Sequence, residues 1–85
     1  MNKITVYTKP NCMACAMTRK YLQENNVPFE SIDVTQNDEA LNAVKQAGYT
    51  GMPVVAVNGF DNSWSGFRPD KIDELVEKRH HDEKL

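Results

Sequence analysis

Residues 7–22 read YTKPNCMACAMTRKYL and hold both cysteines of the chain, Cys12 and Cys15. Upstream, Ile4-Thr5-Val6-Tyr7-Thr8 is β-branched and aromatic and stops at Pro10-Asn11, the pattern of a strand followed by a turn. Downstream, Met13 to Asn25 has helical periodicity. At about 100° per residue, Ala14, Cys15, Thr18, Tyr21 and Leu22 share one face, while Arg19, Lys20, Gln23 and Glu24 fill most of the rest. The cysteine pair therefore sits where a strand turns into a helix.

The rest of the chain extends this pattern. Asn25-Asn26 ends the first helix, and Val27-Pro28 leads into a strand over Phe29 to Val34. Asn37 or Asp38 caps a second helix that runs to about Ala47 and stops at Gly48, with Leu41, Val44 and Ala47 as its apolar stripe. Thr50-Gly51-Met52-Pro53 precedes the strand Val54-Val55-Ala56-Val57. Asn58-Gly59 signals a turn that the stretch to Asn62 lengthens, and a short strand follows at Ser63-Trp64-Ser65. Pro69 suits the first position of a last helix whose inner face is Ile72, Leu75 and Val76. From Glu77 the chain is highly charged, and fraying is expected there. The order is β-α-β-α-β-β-α. A helix between the first two strands favours a parallel pair with a right-handed crossover, and the last two strands can form an antiparallel hairpin. The expected product is one domain over residues 1–78, a four-stranded mixed sheet flanked by three helices, with a charged tail at 79–85.

Bulk composition narrows the function. Eighty-five residues can fold as one domain without a metal or a disulfide staple. The formal net charge is −2, and Lys and Arg are scattered along the chain, so nothing recommends a nucleic acid or a membrane surface. No apolar run approaches the roughly 18 residues that would span a bilayer. Met1-Asn2-Lys3-Ile4 enters a strand pattern at once and leaves no room for a signal peptide, which points to the cytoplasm. In a reducing compartment two cysteines serve redox work or a metal more often than a permanent staple.

Across three helical residues the Cα atoms lie about 5 Å apart, within disulfide range. Cys12 precedes the first helical turn, where unpaired N–H groups and the helix dipole favour a thiolate. Cys15 shares the Leu22 face and is expected to be partly buried, so Cys12 attacks and Cys15 resolves the mixed disulfide. Attacking thiols in such motifs have pKa values of about 3.5–7.5. Two other readings stand beside this one. The cysteines could pack as small hydrophobes. A zinc site would need four ligands, and the adjacent His80 and His81 near the chain end have the wrong spacing and read as solvated.

The α/β order resembles the thioredoxin-like fold in its compact glutaredoxin form, and Tyr7-Thr8-Lys9-Pro10 followed by Cys-x-x-Cys resembles a glutaredoxin start. Trp64-Ser65-Gly66-Phe67-Arg68-Pro69-Asp70 resembles the signature of NrdH-redoxins, glutaredoxin-like proteins that behave as thioredoxins. The resemblance covers about residues 3 to 78. It implies a cis bond at Met52-Pro53, with the Met52 backbone offering its N–H and C=O to an extended partner segment. It implies electrons taken from NADPH through thioredoxin reductase and given to the large subunit of class Ib ribonucleotide reductase, with a monomer as carrier and no cofactor of its own. Glutathione-using relatives place a Gly-Gly turn and acidic residues where this chain has Ser65-Gly66-Phe67-Arg68-Pro69, and Arg68 would repel the tripeptide's ammonium. Asp70 lies close by, and Lys9 keeps a position that pairs with a glutathione carboxylate in glutaredoxins, so weak glutathione binding stays open. Trp64 and Phe67 read either as core or as a platform for a partner peptide, and Arg68 as the organiser of a hydrogen-bond network. Met13 and Ala14 replace the Pro-Tyr common in glutaredoxins and leave an apolar, unobstructed rim around Cys12. A glutathione-dependent glutaredoxin is the alternative reading, and a two-chain iron–sulfur carrier is a more distant one.

Overall fold

In the computed structural model the described residues are 3–84, with side chains described through Glu77. The elements are β1 (Ile4–Thr8), α1 (Met13–Glu24), β2 (Glu30–Asp33), α2 (Asp38–Gln46), β3 (Val54–Val57), β4 (Ser63–Ser65) and α3 (Pro69–Lys84). Strand order in the sheet is β2-β1-β3-β4. β1 runs parallel to β2 and antiparallel to β3, and β4 is antiparallel to β3. This is the thioredoxin-like fold in its compact form, with three helices on a four-stranded mixed sheet.

The sheet separates two apolar layers, and strand alternation assigns residues to them. Ile4, Val6, Val55, Val57 and Trp64 pack with Leu22 of α1 and with Ile72 and Leu75 of α3. On the other face Val54 meets Val34 and the α2 residues Ala40 and Val44, with Tyr7 and Ile32 half-buried beside them. β3 is central, and all four of its residues are buried, as an apolar run covered on both faces should be.

α1 ends at Glu24 and β2 begins at Glu30, each one residue inside the sequence expectation, and two further departures have a local reason. The second strand stops at Asp33 rather than Val34, because the Asp33 carboxylate accepts hydrogen bonds from the Thr35 N–H (2.9 Å) and hydroxyl (2.6 Å) and starts a 3-10 turn over Val34–Gln36. The α2 stripe consists of Ala40 and Val44 with half-buried Leu41. Ala47 is exposed, since it is the C-cap and the chain leaves through Gly48 at φ +95°. α3 spans Pro69–Lys84 and so takes in most of the charged stretch from Glu77. The N-cap of α2 is Asn37, whose side chain accepts from the Ala40 N–H at 3.0 Å. The expected tail at 79–85, with His80 and His81, lies outside the residues whose side chains are described.

Candidate active site

β1 ends at Thr8, and the chain turns through Lys9-Pro10-Asn11 into α1. Asn11 takes the left-handed conformation (φ 59°), which asparagine tolerates better than most residues. This turn sets Cys12 as the N-cap of α1, in extended geometry, with its carbonyl already accepting from the Ala16 N–H at 3.1 Å. Cys12 Sγ accepts a hydrogen bond from the Cys15 N–H at 3.2 Å. The two cysteines form a disulfide, with Cα atoms 5.2 Å apart. Their environments are unequal, as helix geometry requires. Cys12 is half-buried, while Cys15 is only 1% exposed and faces inward with Thr18 and Leu22. Thr18 satisfies its buried hydroxyl on the Ala14 carbonyl one turn back, at 2.8 Å. Met13, 79% exposed, stands beside Cys12 as an apolar rim, with Ala14 half-buried behind it.

Gly51-Met52-Pro53 supplies the wall facing the cysteines. The Met52–Pro53 bond is cis, and the Met52 carbonyl oxygen lies 3.8 Å from Cys12 Sγ. The segment that resembles the NrdH-redoxin signature braces this wall. The Ser65 hydroxyl donates to the Gly51 carbonyl (3.3 Å), and the Gly66 N–H donates to the Pro53 carbonyl (2.8 Å). Gly66 makes that bond with φ +89°, a conformation an L side chain resists. A Cβ there would meet nothing within 4 Å, so the resistance is conformational and not a clash. Gly66→Val is therefore expected to lower stability by about 1–2 kcal/mol. The check is a urea titration, and an unchanged midpoint would remove Gly66 from this brace.

The remaining signature residues have separate tasks. Trp64 is buried in the core at 8% exposure, and its Nε1–H has no partner among the described residues. Phe67 is half-buried and meets Tyr21 of α1 edge-on, ring centres 5.8 Å apart. The Tyr21 hydroxyl in turn donates to Asp73, and that bond raises the phenol above its ordinary pKa. Arg68 does not organise the loop network expected of it. Its Nε and Nη2 donate to the two oxygens of Asp70 at 3.2 and 3.0 Å, a bidentate pair at the start of α3. The pairing raises the guanidinium pKa and lowers that of the Asp70 carboxyl, and both groups are exposed.

A feature missing from the sequence expectation lies on the other side of Cys12. A groove of about 670 Å³ runs between α1 and β2, with Cys12, Lys9 and Arg19 along one side and Ser31 and Asp33 along the other. Arg19 belongs to the site because it stands seven residues, two helical turns, after Cys12. That spacing was the available signal. Ser31 and Asp33 had none, since only the parallel β1–β2 register brings them there. Among the described residues no three His, Cys, Asp or Glu side chains converge as a metal site.

A glutaredoxin family model matches residues 4–60. The chain is 38% identical over 78 residues to the glutaredoxin-like protein NrdH of Escherichia coli K12, which covers 92% of this chain and 94% of that one. It is 36% identical over 73 residues to NrdH of Lactococcus lactis subsp. lactis, covering 86% and 99% respectively. The solved structure of NrdH-redoxin from Escherichia coli, a glutaredoxin-like protein described as having a thioredoxin-like activity profile, superposes with a TM-score of 0.79. Identity there is 40%, over 86% of this chain and 93% of that one.

Proposed function

The chain belongs to the glutaredoxin family, in its NrdH-redoxin branch, and from that premise we propose that it carries electrons from NADPH and thioredoxin reductase to class Ib ribonucleotide reductase through a reversible Cys12–Cys15 disulfide. The observation that carries the reading is the unequal pair: Cys12 accessible at the N-cap of α1, Cys15 buried one turn behind it. In the dithiol form Cys12 reacts as the thiolate, held by the Cys15 N–H and the helix terminus. It attacks one sulfur of the partner's disulfide, and the other sulfur leaves as a thiolate and takes a proton. Cys15 then loses its proton and attacks Cys12 Sγ, releasing the partner as a dithiol and leaving Cys12–Cys15 oxidised. Two electrons from the reductase return it to the start. The Met52 backbone, beside Cys12, lends its N–H and C=O to the incoming segment, and Met13 and Ala14 line its approach.

Two observations favour a thioredoxin-type partner over glutathione. The Escherichia coli relative has a thioredoxin-like activity profile. Here the Asp70 carboxylate, the acidic group near the last helix, is already held by Arg68 and is not offered to an ammonium. The glutathione-dependent reading rests on Lys9 alone. No described helix is long and apolar enough to cross a membrane, and a reducing compartment such as the cytoplasm, with the protein acting as a monomer, is the setting we propose.

The oxidised protein is expected to drain NADPH quickly when mixed with thioredoxin reductase, and slowly when mixed with glutathione and glutathione reductase. Absorbance at the NADPH band reads both. Fast consumption only in the glutathione mixture would move the protein to the glutathione-dependent glutaredoxins.

A further inference from the structure

The groove on the β2 side of Cys12 has no task in the exchange steps above. We infer that it holds an acidic segment of the partner, next to the disulfide under attack, with Arg19 and Lys9 reading the negative charge. This rests on the disulfide-reducing function proposed for the same cysteines.

The groove opens on Cys12, so a chain that brings a disulfide to Cys12 Sγ has its neighbouring residues at the groove mouth. Neither Lys9 nor Arg19 has a carboxylate partner among the described residues. Arg19 is half-buried at the groove, its alkyl stem against α1 and no described acid opposite its guanidinium. The carboxylate present in the groove, Asp33, is turned to its own chain and accepts from the Thr35 N–H and hydroxyl. The groove therefore holds two cations against one anion, on a chain whose formal net charge is −2. Both cations come from the β1–α1 segment, Lys9 in the turn and Arg19 two helical turns after Cys12, and β2 closes the other side with Ser31 and Asp33. Such a patch on an otherwise acidic protein orients an acidic partner during approach. A basic segment would be repelled there, and a neutral one would leave Arg19 unpaired.

The test uses three disulfide peptides of one Cys-x-x-Cys core, flanked by Glu-Glu, Gln-Gln or Lys-Lys. Each is mixed in single turnover with the reduced protein. The Glu-flanked peptide is expected to react about threefold to tenfold faster than the Gln-flanked one at low salt, and the ratio should shrink in 0.5 M NaCl, where the Debye length falls to about 4 Å. Arg19→Glu should bring the Glu-to-Gln ratio below one and favour the Lys-flanked peptide. Arg19→Lys should keep the wild-type order, and so should Lys45→Glu, a charge change on α2 across the sheet. Equal rates for the three peptides, or an acidic preference that survives Arg19→Glu with Lys9→Glu, would overturn the inference.

A second arm is independent of turnover. The Glu-flanked peptide with serine in place of both cysteines is titrated into isotopically labelled protein. Amide shifts at Arg19, Ser31 and Asp33 are expected, larger than with the Gln-flanked analogue. Shifts of equal size, or shifts elsewhere only, count against the groove. If these shifts are found but no disulfide is reduced, the proposed function falls and the acidic-peptide site stands.

Discussion

Cys12→Ser is expected to lose disulfide reduction by more than about a thousandfold, while Cys15→Ser still attacks once and then stalls. The first effect follows from position. Cys12 is the sulfur that solvent and a partner can reach, and serine cannot ionise there at neutral pH to replace the thiolate. The second follows from burial. Cys15, 1% exposed, cannot begin the reaction, but it lies at bonding distance from Cys12 once a mixed disulfide has formed. Without it the intermediate has no internal nucleophile, and the partner stays attached. Intact-mass spectrometry under non-reducing conditions reads this directly, as an adduct of protein plus one peptide that dithiothreitol releases. A Cys15→Ser variant that turned over normally would mean that one thiol suffices, which is the behaviour of a glutathione-type mechanism. An adduct on Cys12→Ser would reverse the two roles.

The geometry behind those roles was legible in the sequence because it is local. An i,i+3 pair at a strand-to-helix junction fixes the distance, the N-cap and the buried face with no knowledge of the remaining residues. β3 and β4 were legible for a similar reason. Val54-Val55-Ala56-Val57 is a continuous apolar run bounded by Pro53 and Asn58-Gly59, and its length matches the strand residue for residue. The end of β2 was not, because one side chain decides it: Asp33 competes for the backbone two residues on and turns the strand into a 3-10 turn. The groove was out of reach in principle. Its two sides lie on segments more than ten residues apart, and only the β1–β2 register joins them.

The signature segment shows a different limit. Resemblance marked Trp64 to Arg68 as a unit, yet the fold divides its labour. Ser65 and Gly66 tie back the loop that carries Met52 and Pro53 into β3, Phe67 leans on α1, and Arg68 closes on Asp70. Only the first pair bears on the cysteines, and it does so through backbone atoms of residues 51 and 53. A motif can thus specify a site by holding its walls still.

Trp64 tests that division most sharply, because core and platform predict opposite outcomes for one substitution. As a core residue it fills the space between Val55 and the α1 and α3 layer, and Trp64→Ala is expected to cost about 3–5 kcal/mol. A domain of 85 residues has about 4–13 kcal/mol in all, so the variant should be close to its folding threshold. Trp64→Phe separates burial from hydrogen bonding. The indole N–H is desolvated without a partner among the described residues, and that burden, about 1–3 kcal/mol, disappears with phenylalanine. Its removal offsets part of the lost ring volume, so the loss should stay under about 1.5 kcal/mol. Urea denaturation followed by circular dichroism suits both variants, since each removes the only tryptophan. If Trp64→Ala unfolded at the wild-type midpoint and lost only partner reduction, Trp64 would be a docking platform. If Trp64→Phe proved as damaging as Trp64→Ala, the indole N–H would be contributing a hydrogen bond and the burden assigned to it would be wrong.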